Sequence, residues 1–445
     1  MRPRSDQFHK LSSEALEDSF LREALKRASS SFHAAKTDAV DSMPDWEELR
    51  QRGHDRKNRA IENLPEALEV FEKNLRSRGG EVHYCEDGAA ARDQILSIIR
   101  SSGGRSVTKS KSMVTEEIAL NDHLEAAGLS VLEGDLGEYI IQLAGEHPSH
   151  IIAPAIHKSR EEVAELFHDH LGSDPDADIP ELTRVARETL REAFLGADIG
   201  ISGANFVVAE TGTIVLVENE GNIRMSTTVP RVHIAVVGIE KVLPRRSDLA
   251  ALLRLLCRSA TGQRVTSYIS FISSPRTEGE GDGPEKLHVV FLDAGRSKLW
   301  ADPTQREALN CIRCGACLNF CPVYGSVGGH SYGWVYPGPI GSVITPHYVG
   351  IEKASQLPQA SSLCGRCGEV CPMKIPLPDM LLGLRAKAVE AGSAGFVEKL
   401  SMRVFSLLAR SPRLWRLLLA FGRPFYRLVV RAGLAAVLGG AARRW

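Results

Sequence analysis

Seven of the nine cysteines fall between Cys311 and Cys371, and their spacing is typical of metal ligands. The first group, CIRCGACLNFCP, reads C-x₂-C-x₂-C-x₃-C-P, the pattern of bacterial ferredoxins, and the second, CGRCGEVCP, reads C-x₂-C-x₃-C-P. Two-residue gaps let three thiolates of one tight loop bind one cuboidal cluster, while the cysteine before proline binds the other cluster. The spacing therefore predicts two iron–sulfur clusters with crossed ligands.

This crossing rule divides the cysteines into two sets. The first cluster, a [4Fe–4S] cluster, takes Cys311, Cys314, Cys317 and Cys371. The second takes Cys321, Cys364 and Cys367. Aligned on the Cys-Pro end, Ser361 stands where a fourth thiolate would be. The second cluster is then either [4Fe–4S] with a non-cysteine fourth ligand or [3Fe–4S], and the spacing leaves both open.

Structural zinc is the alternative for these cysteines. A zinc site takes four ligands in C-x₂₋₄-C pairs, and seven cysteines with two Cys-Pro ends fit two such sites poorly. The two isolated cysteines, Cys85 and Cys257, are expected to be small packing residues. A chain without a secretory signal rarely forms structural disulfides, which also favours metal.

Length and composition limit the number of domains and the class of protein to which these motifs belong. With 445 residues, two to three domains are expected at about 150 residues each. The 54 basic and 55 acidic residues give a net charge of −1, which argues against a dedicated nucleic-acid binder. A hydrophobic content of 43% excludes global disorder. With no long apolar run and no signal-like N-terminus, we expect a cytoplasmic protein without a transmembrane span.

The chain changes character three times, which predicts four parts: a helical segment over 1–80, an α/β domain over 81–300, the cysteine-bearing part over 301–390 and a tail over 391–445. In the second part, short β-branched runs alternate with helical patterns, which indicates a mostly parallel sheet with helices on its faces. The predicted strands are Val82–Cys85, Ser106–Lys109, Ser130–Leu132, His150–Ala153, Phe206–Ala209, Ile214–Glu218, His233–Val237, Thr266–Ile272 and Leu287–Leu292. The predicted helices include Ala89–Ser101 and Thr115–Ala127.

The tail combines Leu, Phe and Trp with Arg at helical spacing over 401–445. Such a basic amphipathic pattern is typical of helices that bind an anionic membrane surface or a partner subunit. The same apolar stripe can instead pack on the protein's own core.

Polar residues near predicted strand ends form a candidate anion site. Lys109, Lys111 and Ser112 lie between a predicted strand and a helix, where N–H groups and a lysine can hold a carboxylate or phosphate. Residues that follow or border adjacent strands join them: Glu210, Glu220 and Asn222. The alternative is that these groups only cap helices and turns, with Thr115 as an N-cap.

Histidines give weaker signals. No second histidine or carboxylate stands at ligand spacing from His150, His157 or His233, so each is expected to be a core or turn residue. His330, between the two cysteine groups, is a candidate donor to a cluster sulfur.

The order of these motifs resembles the lactate utilisation protein B family, whose members join a lactate-utilisation (LUD) domain to an iron–sulfur domain. Several segments carry the resemblance, together with the cysteine groups: Lys109–Ile118, Asp135–Tyr139, Pro148–Ile151, Pro154–His157, Ala209–Gly212, Asn219–Asn222, Gly238–Lys241 and Tyr336–Gly341. The match extends to about residue 390, and the tail is the least family-like part.

This resemblance implies an α/β LUD domain of the sugar-phosphate isomerase/CoA-transferase type followed by an all-α helical ferredoxin domain. It also implies electron transfer during oxidation of L-lactate to pyruvate, which permits growth on lactate. The implied partners are similar to a cysteine-rich A protein and a LUD-only C protein, and the electron acceptor stays open.

Two classes of function follow. Clusters transfer single electrons, whereas hydride abstraction from an alcohol carbon needs another electron sink, and the chain has no convincing dinucleotide fingerprint. We therefore expect an electron-transfer subunit of a multi-protein L-lactate dehydrogenase. The alternative is a self-contained LUD-domain enzyme that acts on another 2-hydroxy acid or a CoA-like ligand, with structural or regulatory clusters.

Overall fold

The computed structural model describes residues 3–393 and 395–420 of the chain. These residues form two compact units, the first running to Lys387 and the second beginning at Ala388. The first unit contains both the strands and the two cysteine groups.

Ten strands of the described residues form two sheets. Their bounds are β1 Glu81–Cys85, β2 Ser106–Lys109, β3 Ser130–Glu133, β4 Ile199–Ser202, β5 Phe206–Val208, β6 Thr213–Glu218, β7 Val232–Gly238, β8 Val242–Leu243, β9 Tyr268–Ile272 and β10 Lys286–Leu292. Sheet A has six strands in the order β1-β10-β7-β4-β2-β3, and all its pairings are parallel. Sheet B, β8-β5-β6-β9, has one parallel and two antiparallel pairings. The prediction of a mostly parallel sheet with helices is confirmed.

The described residues form nineteen α-helices. Those before β4 are α1 Phe8–Glu17, α2 Ser19–Asp41, α3 Trp46–Glu62, α4 Leu64–Arg76, α5 Gly88–Ser101, α6 Met113–Glu117, α7 Leu120–Ala126, α8 Leu136–Leu143, α9 Arg160–Leu171 and α10 Ile179–Gly196. Those after it are α11 Asn222–Thr228, α12 Leu249–Ala260, α13 Arg296–Ala301, α14 Ala316–Asn319, α15 Tyr324–Val327, α16 Gly338–Val349, α17 Arg366–Glu369, α18 Leu377–Glu390 and α19 Phe396–Ala409.

Side chains alternate between the two faces of sheet A, as strand geometry requires. Along β7, Ile234 and Val236 pack with α5 and α7, whereas Ala235 and Val237 pack with α4 and sheet B. Both faces of the sheet are therefore buried, which is the usual arrangement of a parallel sheet.

The cysteine-bearing part joins a core that also contains the N-terminal helices and sheet B. Leu25 of α2, Leu49 of α3 and Val215 of β6 belong to the same hydrophobic cluster as Cys314 and Cys371. In the described chain between β10 and Lys387, the regular elements are all helices, most of them short. The two cysteine groups are thus held by helices rather than by strands.

Three expectations about local structure are wrong. Residues His150–Ala153 form a loop instead of a strand, because the His150 ring nitrogen Nδ1 accepts the N–H groups of Ile152 and Ala153, both at 3.0 Å. The predicted helix Thr115–Ala127 breaks at Ala119, whose φ is +49°. Thr115 is not an N-cap, since the cap of α6 is Ser112, whose hydroxyl accepts the Thr115 N–H at 3.4 Å.

The tail lies only partly within the described residues. Residues 421–445, which carry most of the expected basic amphipathic segment, are outside them. The described part forms α19 and a helical stretch over 412–420, with exposed Leu400, Phe405 and Leu407. Within the described chain, no helix has the length and apolarity needed to cross a membrane.

Candidate metal centre and adjoining cavity

Four cysteines from two separate segments of the chain line one small cavity. Cys311, Cys314 and Cys317 come from the first loop, and Cys371 comes from the second Cys-Pro turn. The remaining walls are mainly apolar and include Ile151, Ile312, Ile340, Met373 and Leu377. An all-thiolate donor set in an apolar pocket suits an iron–sulfur cluster.

The backbone of the first loop directs N–H groups towards sulfur. Arg313 and Gly315 have φ of +59° and +73°, which turns the loop tightly before α14. The Arg313 N–H donates to Cys311 Sγ at 3.4 Å. Burial raises the pKa of the Cys314 thiol to about 12, so a thiolate there needs a neighbouring cation. The N–H group that points at Cys311 Sγ is the feature of this loop that suits a cluster ligand.

The other three cysteines form a second electrostatic group. Burial raises the pKa of Cys321 and of Cys367, and the negative charge of Cys364 raises both further. Cys364 is exposed. Ser361 lies in the turn before Cys364, where its hydroxyl accepts the Leu363 N–H at 3.1 Å.

Helices α2 and α3 hold the second Cys-Pro turn through its carbonyl groups. The Arg50 guanidinium donates to the carbonyl of Cys371 at 2.7 and 3.1 Å and to that of Glu369 at 2.9 Å. Lys36 Nζ donates to the carbonyl of Val370 at 2.5 Å. Sequence reasoning missed both residues, since no motif links a lysine or arginine in the first 50 residues to a cysteine 320 residues later.

A buried ion-pair network joins α6, α13 and the turn after β7 to the first cysteine loop. Arg296 is fully buried and makes a two-pronged contact with Glu117, at 2.8 and 2.9 Å, and a third with Glu240 at 2.7 Å. Glu240 lies 3.7 Å from the Arg313 guanidinium, and Arg313 stacks over the Tyr336 ring at 4.7 Å. Arg296, Lys241 and Arg313 keep the pKa of Glu240 at about 2 despite its burial.

A cavity of about 390 Å³ opens next to this network. It is lined from the sheet side by Lys111, Ser112 and Lys241 and from the cysteine side by Arg313 and Tyr336. Its apolar lining includes Met113, Leu216, Ile223 and Leu256, and Cys257 of α12 also reaches it. The cavity is thus shared by the two parts of the chain that carry the sequence motifs.

Four of the six residues predicted for an anion site line this cavity: Lys111, Ser112, Glu220 and Asn222. The other two do not. Lys109 is buried in a carboxylate cluster, 2.9 Å from Glu116 and 2.7 Å from Glu133. Glu210 accepts the Arg246 N–H at 2.9 Å, away from the cavity. Both therefore have partners within the protein.

Lys241 and Arg313 are cavity residues that sequence reasoning did not single out. Lys241 directly follows Glu240, within the Gly238–Lys241 segment, and burial lowers its pKa to about 8. Arg313 is a spacer between two predicted ligands. The only sequence signal for either residue was its position inside a motif. Tertiary packing, which no motif encodes, brings the two side chains together at the cavity.

The histidines differ in their surroundings. His150 Nε2 bonds with Asn319 Oδ1 at 2.9 Å, and His233 Nε2 with Ser202 Oγ at 2.7 Å, so both are buried structural residues. His157 is not isolated, since Glu146 lies 2.6 Å from its Nε2 and His330 packs against its ring. His330 Nε2 bonds with the His147 carbonyl at 2.7 Å, so this nitrogen does not donate to a cluster sulfur.

Comparison with known proteins fits this arrangement. A LUD domain model matches residues 68–292, and a 4Fe-4S dicluster domain model matches residues 307–375. The chain is 45% identical over 405 residues to lactate utilization protein B from Bacillus thuringiensis (strain Al Hakam), with 91% of this chain and 85% of that protein covered. The proteins of the same name from Bacillus cereus (strain AH187) and Bacillus anthracis (strain A0248) match to the same extent.

The chain belongs to the lactate utilization protein B family. In this family context the cavity lies between the LUD domain and the dicluster domain. A crystal structure of a DUF162 family protein from Deinococcus radiodurans aligns with 52% of this chain and 98% of its own, at 17% identity and a TM-score of 0.29. A TM-score this low gives no further information about the fold.

Proposed function

We propose that the chain is the iron–sulfur electron-transfer component of a system that oxidises L-lactate to pyruvate and permits growth on lactate. The observation that carries the proposal is the meeting of Cys371 with Cys311, Cys314 and Cys317 around one cavity. Curated relatives at 45% identity are named for lactate utilisation, which supports the substrate.

In this proposal the first cluster is [4Fe–4S] on Cys311, Cys314, Cys317 and Cys371. The second, on Cys321, Cys364 and Cys367, is [3Fe–4S], or [4Fe–4S] with a non-cysteine fourth ligand. Such clusters supply one-electron transfer. The cysteine part is then a helical ferredoxin, and the LUD domain has the sugar-phosphate isomerase/CoA-transferase fold.

The chain's own residues support this role. Apolar walls exclude water from the first cysteine group, while Arg50 and Lys36 fix the turn that brings Cys371 to it. The exposed Cys364 places the second group within reach of a partner. We propose that the partners are cytoplasmic proteins similar to the cysteine-rich A and LUD-only C proteins.

Growth on L-lactate tests the proposal. A deletion strain complemented with Cys314→Ser should fail on L-lactate as sole carbon source and grow normally on glucose. Cys85→Ser is the matched control, because Cys85 is buried on β1 outside both cysteine groups, and it should restore growth. Normal growth of the Cys314→Ser strain on L-lactate would contradict the proposed role.

The cavity between the LUD domain and the dicluster domain favours a second candidate, a self-contained enzyme with structural or regulatory clusters. The full chain, purified anaerobically with its iron, should then reduce an artificial acceptor when given a 2-hydroxy acid alone. If turnover appears only after companion proteins are added, this candidate fails and the electron-transfer role stands.

A further inference from the structure

Two cationic side chains that line the cavity beside the first cysteine loop have N–H groups without hydrogen-bond partners among the described residues. Lys241 is buried, and among the described residues its Nζ makes no hydrogen bond or ion pair. The Arg313 side chain is 10% exposed, and its Nη1 is buried without a hydrogen-bond partner. Lys111, the other lysine of the lining, donates a hydrogen bond to the Ile152 carbonyl at 2.5 Å.

The acidic residues of the lining do not neutralise this pair. The Glu218 carboxylate accepts the N–H groups of Ile223 and Arg224 at the start of α11, at 2.7 and 3.1 Å. Asp135 accepts the Glu138 N–H at 3.1 Å, and Glu220 is exposed. The acidic side chains that line the cavity are thus bound to backbone or face solvent. The nearest buried counter-charge, the Glu240 carboxylate, is shared among three cations: Arg296, Arg313 and Lys241.

Buried cations require a hydrogen-bonded counter-charge, since an unpaired charge in a water-poor site is costly. We propose that the cavity binds the carboxylate group of a small organic acid, with Lys241 and Arg313 as its anchors. Apolar side chains at Leu216, Ile223 and Leu256 then contact the carbon body of the acid. This inference deepens the proposed function and rests on it for the choice of ligand.

A carboxylate suits the site better than a phosphate. Glu240 lies 3.7 Å from the Arg313 guanidinium and already supplies one negative charge. A dianion placed at the same guanidinium would meet that carboxylate at close range, whereas a monoanion meets less repulsion.

Arg313 also connects the ligand to the first cysteine group. Its side chain lines the cavity, and its own N–H donates to Cys311 Sγ at 3.4 Å. A carboxylate held by the guanidinium changes the charge beside that sulfur. Ligand binding should therefore alter the visible and electron paramagnetic resonance spectra of the iron-loaded chain.

Calorimetric titration of the full, iron-loaded chain with pyruvate under anaerobic conditions tests the inference, with inorganic phosphate as the second probe. We expect pyruvate to bind and to shift the cluster spectrum, and phosphate to bind at least tenfold more weakly. Lys241→Met should weaken pyruvate binding by about 10- to 100-fold, the range for a lost charge-assisted hydrogen bond. Lys241→Arg keeps the cation and should stay within threefold of wild type.

Lys353→Met, which removes an exposed lysine outside the cavity, is the matched control and should bind as wild type does. Iron content and melting temperature establish that each variant is folded and loaded. Absence of pyruvate binding, equal binding by Lys241→Met, or binding of phosphate in preference to pyruvate would overturn the inference. Because the growth test with Cys314→Ser does not depend on Lys241, failure here leaves the proposed electron-transfer role intact.

Discussion

Individual side chains far from the cysteines in sequence position the candidate metal centre. Arg50 donates three hydrogen bonds to the carbonyls of Glu369 and Cys371 from within α3. A guanidinium suits this task because its donors are fixed in one plane and its charge does not titrate. The turn before Pro372 thus depends on a residue that no cysteine motif contains.

Arg50→Met should weaken retention of the first cluster. Hydrogen bonds from a charged donor contribute about 1.5–3 kcal/mol each, so the loss should accelerate release of iron at least tenfold. The measurement is the rate of iron transfer to a chelator from the loaded protein. Arg52→Met, in the same helix but with an exposed side chain, should release iron at the wild-type rate, and equal rates for all three proteins would exclude this role for Arg50.

His233 should make stability depend on pH. Burial in sheet A lowers its pKa to about 3, against about 6.5 in an unfolded chain, so the folded state binds fewer protons. The contribution of His233 to the free energy of unfolding is fully present above pH 6.5 and is lost as the pH falls from 6.5 towards 3. Between pH 7 and pH 5 the loss is about 2 kcal/mol.

Urea unfolding of the wild type and of His233→Asn at these two pH values measures the effect. The difference in the pH dependence of unfolding between the two proteins separates the effect of His233 from that of other titrating groups, including the clusters. We expect the variant to lose about 2 kcal/mol of the wild-type pH dependence. His168→Asn, which replaces an exposed histidine at a helix end, is the control substitution, and an unchanged pH dependence in His233→Asn would contradict the assignment.

Strands and helices were predictable where their patterns are regular. β1, β2, β3 and β10 follow the β-branched runs to within one residue, since alternation and length suffice for buried strands. β4 was missed, because Ile199–Ser202 is short and contains a glycine. The loop at His150 was mistaken for a strand, because a ring nitrogen that accepts backbone N–H groups leaves no periodic signal.

The glycine in β4 serves a close contact with α11. A Cβ at Gly200 would lie 1.6 Å from the Ser226 carbonyl oxygen, which cannot move without displacing the helix. Gly200→Ala should therefore lower the unfolding free energy by about 3 kcal/mol, at the upper end for overpacking. Gly196→Ala, where a Cβ meets nothing within 4 Å, should be neutral. Thermal melting compares the two, and equal melting temperatures would contradict the contact.

The residues of the candidate site could be predicted only in part, because only some of them belong to local sequence patterns. Cysteine spacing is local, so the ligand sets could be proposed from sequence, as could Lys111 and Asn222 near the cavity. The positions of Lys241, Arg313 and Arg50 depend on how strands, loops and N-terminal helices pack together. A pattern along the chain does not contain that information.

At the level of the molecule, the Arg296 network makes the LUD domain and the cysteine part of the first unit one structure. Arg296→Met would leave Glu117 and Glu240 buried without their main partner, which typically costs 3–5 kcal/mol. We expect a lower melting temperature and a lower iron content together. Arg276→Met, which removes an exposed ion pair with Glu285, should change neither. Loss of stability with full iron content would show that the network does not link the two parts.

The two cysteine groups also differ in their most exposed member. Cys321 and Cys367 are as buried as Cys314, Cys317 and Cys371, whereas Cys364 is exposed. In the proposed electron-transfer role, the second group therefore has one side at the surface, where the redox centre of a partner can approach it. The same exposure predicts where damage begins, since oxygen and peroxide should reach the cluster at Cys364 first.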